Sequence, residues 1–222
     1  MSETDTRVLL LRHGEVASHR GDVPVTEQGL VHAEHTGKAV AAQSDLPITV
    51  LYGGTRRTRE TAEAITRGIG EPGRVAGPSD CFALRNPDMY VAGTRVNMVS
   101  SAEALAEQVP GMAADQAGQI DWWTSFFSAP DRIGWWLGQT DPPGESAQDL
   151  SARIIRFARS IADPGPLRGR FVVGVTHSPL LRSVLHHATG SDPGEPAYVT
   201  GAEIRVSATG DVVISAHDPL NP

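Results

Sequence analysis

Leu9-Leu10-Leu11-Arg12-His13-Gly14-Glu15 is the stretch that decides the fold of this 222-residue chain. The apolar run Val8 to Leu11, bounded by polar sequence, has the character of a strand buried on both faces of a parallel sheet. It stops at a cation, an imidazole and a glycine. Ligands of open α/β sheets sit at the carboxyl ends of the strands, so Arg12 and His13 fall where chemistry is expected. Gly14 permits a sharp turn, or the close approach of a substrate, where a Cβ would intrude. Any structural strand could end in Arg-His, so the weight rests on whether other strands end in the same way.

Two of them do. Ile48 to Tyr52 is a second β-branched strand that breaks at Gly53-Gly54-Thr55, and Arg56-Arg57-Thr58-Arg59-Glu60-Thr61-Ala62 then opens a helix running to about Ile69. An arginine beside glycines at a helix N-terminus suits a phosphate, because free N–H groups and guanidinium donors converge there. Arg56 and Arg59 read as a solvated basic face, which leaves Arg57 for the site. Phe171 to Thr176 is the most apolar strand of the chain, and it delivers His177-Ser178-Pro179 directly before a helix of Leu180, Leu181, Val184 and Leu185.

The remaining elements complete the layout. Thr26 caps a helix over Leu30 to Ala42, Val75 to Leu84 holds a third strand and its turn, and Ala147 to Ile161 is an amphipathic helix. Ala202 to Val206 and Val212 to Ala216 alternate around Thr209-Gly210-Asp211, a hairpin signal. The expected fold is α/β: a three-layer sandwich with a mostly parallel central sheet, helices on both faces and a helical cap insertion, in one domain over 1–222. The cap spans about 86–143. It opens on the turn-rich Arg85 to Tyr90, continues with helices over Ser101 to Gln108 and Ala113 to Phe127, and holds all four tryptophans, Trp122, Trp123, Trp135 and Trp136. Aromatics so concentrated read as core between helices, the alternative being the mouth of a pocket.

Composition narrows the function. A net charge of −7 gives no general attraction for nucleic acid or anionic membrane, so a phosphorylated substrate needs a local cluster of Arg and His. The single cysteine, Cys81, forbids an intrachain disulfide and fits a reducing cytoplasm, the expected location. Met1 to Thr6 is polar and acidic rather than signal-like, and no apolar run nears the roughly 20 residues that span a bilayer. No paired ligand spacing argues for a metal, and no glycine-rich nucleotide motif or nucleophile elbow is present.

Three strand–turn–helix units therefore bring Arg12 and His13, Arg57, and His177 to one sheet edge. Two imidazoles and two arginines make a pocket for a dianionic phosphoryl group. One imidazole is placed to attack phosphorus, and the other, with the arginines, to stabilise the charge in flight.

Leu11-Arg12-His13-Gly14-Glu15 resembles the signature of the histidine phosphatase superfamily, the phosphoglycerate mutase-like family. Val25-Thr26-Glu27-Gln28-Gly29, Arg57-Thr58-Arg59-Glu60-Thr61-Ala62, Gly144-Glu145-Ser146 and Val175-Thr176-His177 resemble further segments of that family, in family order. The resemblance implies His13 as the nucleophile that becomes phosphohistidine, Arg12 and Arg57 as phosphate ligands, and His177 as transition-state stabiliser. It implies no cofactor. Two positions depart from the family pattern. His19 stands where an Asn often contributes to phosphate binding, and its imidazole can still donate. Asn86 stands where a Glu usually supplies the proton, which makes Asp88 the candidate acid. Ser178 excludes the branch that places Asp after the second histidine. The expected activity is a metal-independent phosphomonoesterase acting on a small phosphorylated metabolite, a nucleotide or sugar phosphate. The alternatives are a phosphoglycerate mutase-type phosphotransferase and a catalytically weak phosphate-binding regulator. The expected partner is a small-molecule phosphate ester, not nucleic acid or membrane, with a homodimer left open.

Overall fold

A computed structural model describes residues 5–18, 21–71 and 73–222. A six-stranded sheet runs through the molecule in the order β3-β2-β6-β1-β7-β8. Its strands are β1 (Thr6–Arg12), β2 (Ile48–Tyr52), β3 (Val75–Asp80), β6 (Phe171–Thr176), β7 (Gly201–Val206) and β8 (Val212–His217). The first four named pair in parallel; β7 runs antiparallel to β1, and β8 antiparallel to β7. Every residue of β1 and β6 is buried, which is why both read as unbroken apolar runs.

Side chains alternate across β1. Leu9 and Leu11 face α1 (Glu27–Ala42) and α2 (Arg56–Ile69), while Val8 and Leu10 face α7 (Ala147–Ser160), α8 (Ser178–Thr189) and the cap. Both expected helical layers are therefore present. Helices α1 and α2 pack backbone to backbone: a Cβ on Gly37 would stand 2.2 Å from the Ile65 carbonyl oxygen, and one on Gly68 2.0 Å from that of Glu34. Thr26 caps α1 by accepting from the Gly29 amide, as the sequence suggests.

The cap departs from expectation in two places. Arg85 to Tyr90, read as turns, runs into a small hairpin of β4 (Met89–Val91) and β5 (Thr94–Val96). Its connection places Ala92 and Gly93 both at positive φ, the geometry of a type I′ turn, reached here without the usual Asn-Gly. The single helix expected over Ala113 to Phe127 is instead α4 (Ala114–Ala117) and α5 (Asp121–Ser128), broken around Gly118. Helices α3 (Ala102–Ala106) and α6 (Arg132–Leu137) complete the insertion. The aromatics pack on each other: Trp122 stacks on Phe126 at 5.5 Å, and Trp135 meets Trp122 edge-on at 5.2 Å. Trp123 and Trp136 are fully buried. Core is the correct reading of this cluster.

Among the described residues, no helix is long and apolar enough to cross a membrane.

The α1–α2 contact gives a stability test. Gly68→Ala pushes a methyl into a backbone carbonyl, an overpacking expected to cost about 2 kcal/mol or more. A thermal melt of the variant should show Tm lower by roughly 4–8 °C for a chain of this size.

Candidate active site

Register places the site. Arg12 pairs with Thr176 at the carboxyl ends of β1 and β6, so the residues that follow, His13 and His177, emerge side by side. The ladder continues one step further: the His13 amide donates to the Thr176 carbonyl at 3.0 Å, and that of Gly53 to the Val175 carbonyl at 3.0 Å. The two imidazoles lie with ring centroids 5.6 Å apart, and both are buried.

Each ring is oriented by a backbone carbonyl. His13 Nδ1 donates to the Gly14 carbonyl at 2.8 Å, which assigns the lone pair to Nε2. His177 Nε2 donates to the Gly53 carbonyl, and its Nδ1 accepts from Arg57 Nη2, each at 3.4 Å. That ring is held neutral. Burial pushes its pKa well below the usual histidine range, and the neighbouring Arg57 and His13 push the same way.

Gly14 serves close packing rather than an unusual turn. A Cβ there would stand 2.9 Å from Val25 and 3.2 Å from the Gly29 carbonyl oxygen. Its amide donates to Thr61 Oγ1 at 2.8 Å, and that hydroxyl donates to the Arg57 carbonyl at 2.7 Å. The loop carrying His13 is thus bonded to the first turn of α2 that carries Arg57.

Arg12 is buried and Arg57 half-buried, each with donors to spare among the described residues. Arg12 donates to the Pro196 carbonyl at 2.6 Å, pairs with Glu195 at 2.9 Å and lies over the Tyr198 ring at 4.3 Å. Its Nε has no partner. Neither does Nε of Arg57, a cation destabilised first by burial, with Asp22 opposing and Arg12 adding to the effect. Arg56 and Arg59 are exposed and paired with Glu60 and Glu63, the solvated face expected of them.

Arg12, His13, Arg57 and His177 all line one cleft of about 310 Å³. Asn86 forms part of its wall, with a buried Oδ1 that accepts no hydrogen bond. Asn86 arrives there because Thr176 Oγ1 donates to the Leu84 carbonyl at 2.7 Å and pins the preceding 3₁₀ turn to the sheet. The cap contributes Met98, Val99, Phe126, Pro130, Arg132 and Ile133. A polar recess of about 390 Å³ adjoins the cleft and shares Arg57 and Asn86 with it.

Asp88 is not brought to this cleft. Its carboxylate is clamped between Arg85 and Arg95, and its amide donates to Glu145. Partial burial pushes that carboxyl up, but the two guanidinium groups outweigh it and hold its pKa at about 2. A carboxyl so held does not store a proton, so the expectation of Asp88 as acid is corrected. His19 lies outside the described residues. Glu145 is structural, tied to Arg153 at 2.7 Å and to the backbone of Asp88. Among the described residues, no group of three metal-ligating side chains is close enough to hold an ion.

Sequence reading missed the loop between α8 and β7. It supplies Glu195 to the cleft and the Pro196 carbonyl and Tyr198 ring to Arg12. Val199 in this loop has φ of +60°, a strained position for a β-branched residue. The available signal was its place in the chain: it precedes β7, whose first residue, Gly201, pairs with Leu11.

The fold and the paired histidines define a class, and the comparisons with known proteins agree. The chain matches the model of the histidine phosphatase superfamily (branch 1) over residues 8–76 and 102–209. It belongs to that superfamily. It is 26% identical over 184 residues to a 2,3-bisphosphoglycerate-dependent phosphoglycerate mutase of Rhizobium etli, covering 80% of this chain and 77% of that one. Among solved structures it shares its fold with mycobacterial hydrolase 1 (TM-score 0.61, 17% identity, 96% of this chain and 97% of that one). A mycobacterial glucosyl-3-phosphoglycerate phosphatase is similar at a TM-score of 0.57 and 16% identity, over 96% and 97% of the two chains.

Burial of neutral His177 makes stability depend on pH. The unfolded chain binds this proton near pH 6.5 and the folded one only well below that, so the unfolded state gains protons first on acidification. Stability from this group is complete above about pH 7 and falls below about pH 6.5, by at most ~1.4 kcal/mol per pH unit. Thermal melts in phosphate-free buffer should show Tm falling from pH 6.5 to 5, and a shallower fall in His177→Gln.

Proposed function

We propose that the protein is a phosphomonoesterase that hydrolyses a small phosphorylated metabolite through a phosphohistidine on His13. One observation carries the reading: a buried and a half-buried guanidinium group, each with a buried Nε that has no partner among the described residues, share a cleft with two imidazoles bonded to backbone carbonyls. Guanidinium donors and imidazoles so gathered suit an anion such as a phosphoryl group. His13 Nε2 attacks phosphorus while Arg12 and Arg57 bind the equatorial oxygens. A bound phosphoryl group stabilises the protonated form of His177, which then adds a third cation to the developing charge. Water attacks the phosphohistidine and releases inorganic phosphate. The site needs no cofactor for this sequence of steps.

The leaving group faces a wall that is part apolar, from Val99, Phe126, Pro130 and Ile133, and part cationic, from Arg132. That composition supports an organic group with a planar or apolar side, such as a nucleoside or a sugar. Resemblance to a phosphoglycerate mutase supports a second reading, transfer of the phosphoryl group between two positions of a substrate. Asn86 in the cleft supports a third, a phosphate binder of little activity.

A panel of phosphate esters separates these readings. Hydrolysis predicts release of inorganic phosphate that falls at least about 10³-fold in His13→Ala and about 10²-fold or more in Arg57→Ala. Positional transfer without net release points to the mutase, and tight phosphate binding without turnover to the regulator.

A further inference from the structure

The reaction proposed above needs a proton source for its leaving oxygen. An alkoxide leaves slowly unless it is protonated as the P–O bond breaks, and a carboxyl beside the reacting atoms is an ordinary supplier. Asn86 has no such proton, and Asp88 is clamped outside the cleft by two arginines. Among the described residues two carboxyls line the cleft, Asp131 and Glu195. Asp131 accepts from Arg182 at 2.9 and 2.5 Å and from the Gly134 amide, and these bonds hold it ionised with a pKa of about 2. It is a structural anion.

Glu195 is placed differently. One oxygen, Oε1, is 2.9 Å from Arg12 Nη2, the cation that would bind the phosphoryl group. The other, Oε2, accepts from Ser178 Oγ at 2.5 Å, one residue after His177, and lies 3.7 Å from Arg182. The side chain is 49% exposed, open to the cleft it lines.

We infer that Glu195 is the general acid–base of this site, a role that rests on the phosphohistidine reading. Arg12 is its ion-pair partner in the cleft. A bound phosphoryl dianion engages Arg12 and sets a second negative charge beside Glu195, and like charges so placed favour the neutral carboxyl. Oε1 then carries the proton while Oε2 keeps its bond from Ser178. In the first step the bond from His13 Nε2 to phosphorus forms, the P–O ester bond breaks, and the Oε1 proton moves to the leaving oxygen. A neutral alcohol departs and Glu195 is left ionised. In the second step water attacks phosphorus, Glu195 takes its proton, the P–N bond breaks, and inorganic phosphate leaves. Water is the only co-reactant.

Glu195→Gln keeps the shape and removes the transferable proton. Rapid-mixing measurements on the purified full chain compare 4-nitrophenyl phosphate, whose leaving group needs no proton, with an alkyl ester such as glycerol phosphate. In the variant the burst of 4-nitrophenolate should keep its rate within about threefold, while release of the alkyl alcohol falls about 10²- to 10³-fold. Turnover after the burst should slow as well, with phosphohistidine accumulating. Equal loss on both esters, an unchanged alkyl rate, or a gain on both would overturn the role, the last showing that Glu195 only competes for Arg12. Glu195→Ala should give the same split, so the ratio is readable even where one variant folds poorly. If the unaltered protein shows no burst and traps no phosphohistidine, the phosphohistidine reading fails and this inference fails with it. A burst with an unsplit Glu195→Gln overturns this inference alone.

Discussion

The pairing of β1 with β6 is the constraint on which the rest depends. Arg12 opposite Thr176 puts two adjacent strands in register to the residue, and each strand then ends in an imidazole. A slip by one position would turn the alternate side chains to the wrong face of the sheet and carry the histidines apart. Here Leu9 and Leu11 face one core and Val8 and Leu10 the other, so both layers enforce the same register. The site's geometry is thereby a by-product of core packing. Buried apolar side chains at roughly 1.5–3 kcal/mol each hold the histidines more firmly than any bond between the rings could.

Burial then sets the chemistry. A cation taken from water is costly unless it is paired, and this molecule sets the buried Arg12 and the half-buried Arg57 beside two buried imidazoles. Most acids of the chain face elsewhere, which is how a protein of net charge −7 keeps a cationic cleft. Arg12 is partly compensated by a carboxylate on a loop, by a carbonyl and by a tyrosine ring, all of which leave its Nε unused. All three of these partners lie outside the β1–β6 ladder, so they leave the sheet's register untouched.

What the sequence disclosed follows from burial and locality. β1, β2 and β6 were legible because strands covered on both faces are written as apolar runs, and the histidines and Arg57 were legible because they follow those runs directly. Signals weaken where structure depends on few residues. The three-residue strands β4 and β5 have no room for a period, and their turn uses Ala92-Gly93 in place of Asn-Gly. Asp88 failed as an acid for a reason invisible in one dimension: the hairpin folds Arg95 back onto it beside Arg85. Glu195 stands 183 residues from its partner Arg12 in the chain, and the antiparallel register of β7 on β1 brings them together.

Arg182 shows how the cap and that loop are made to act together. It lies on α8, one turn beyond the His177 segment, with its side chain almost wholly buried. It bonds to Asp131 of the cap, to Asp192 in the loop, and lies 3.7 Å from Glu195. Asp131 in turn caps α6 through the Gly134 amide, next to Arg132 in the cleft wall. One guanidinium therefore ties the cap that shapes the leaving-group side to the loop that compensates Arg12. Were the cap to swing away, Arg182 would keep Asp192 but lose Asp131, so this pair adds an electrostatic tie to the apolar packing that holds the cleft wall in place.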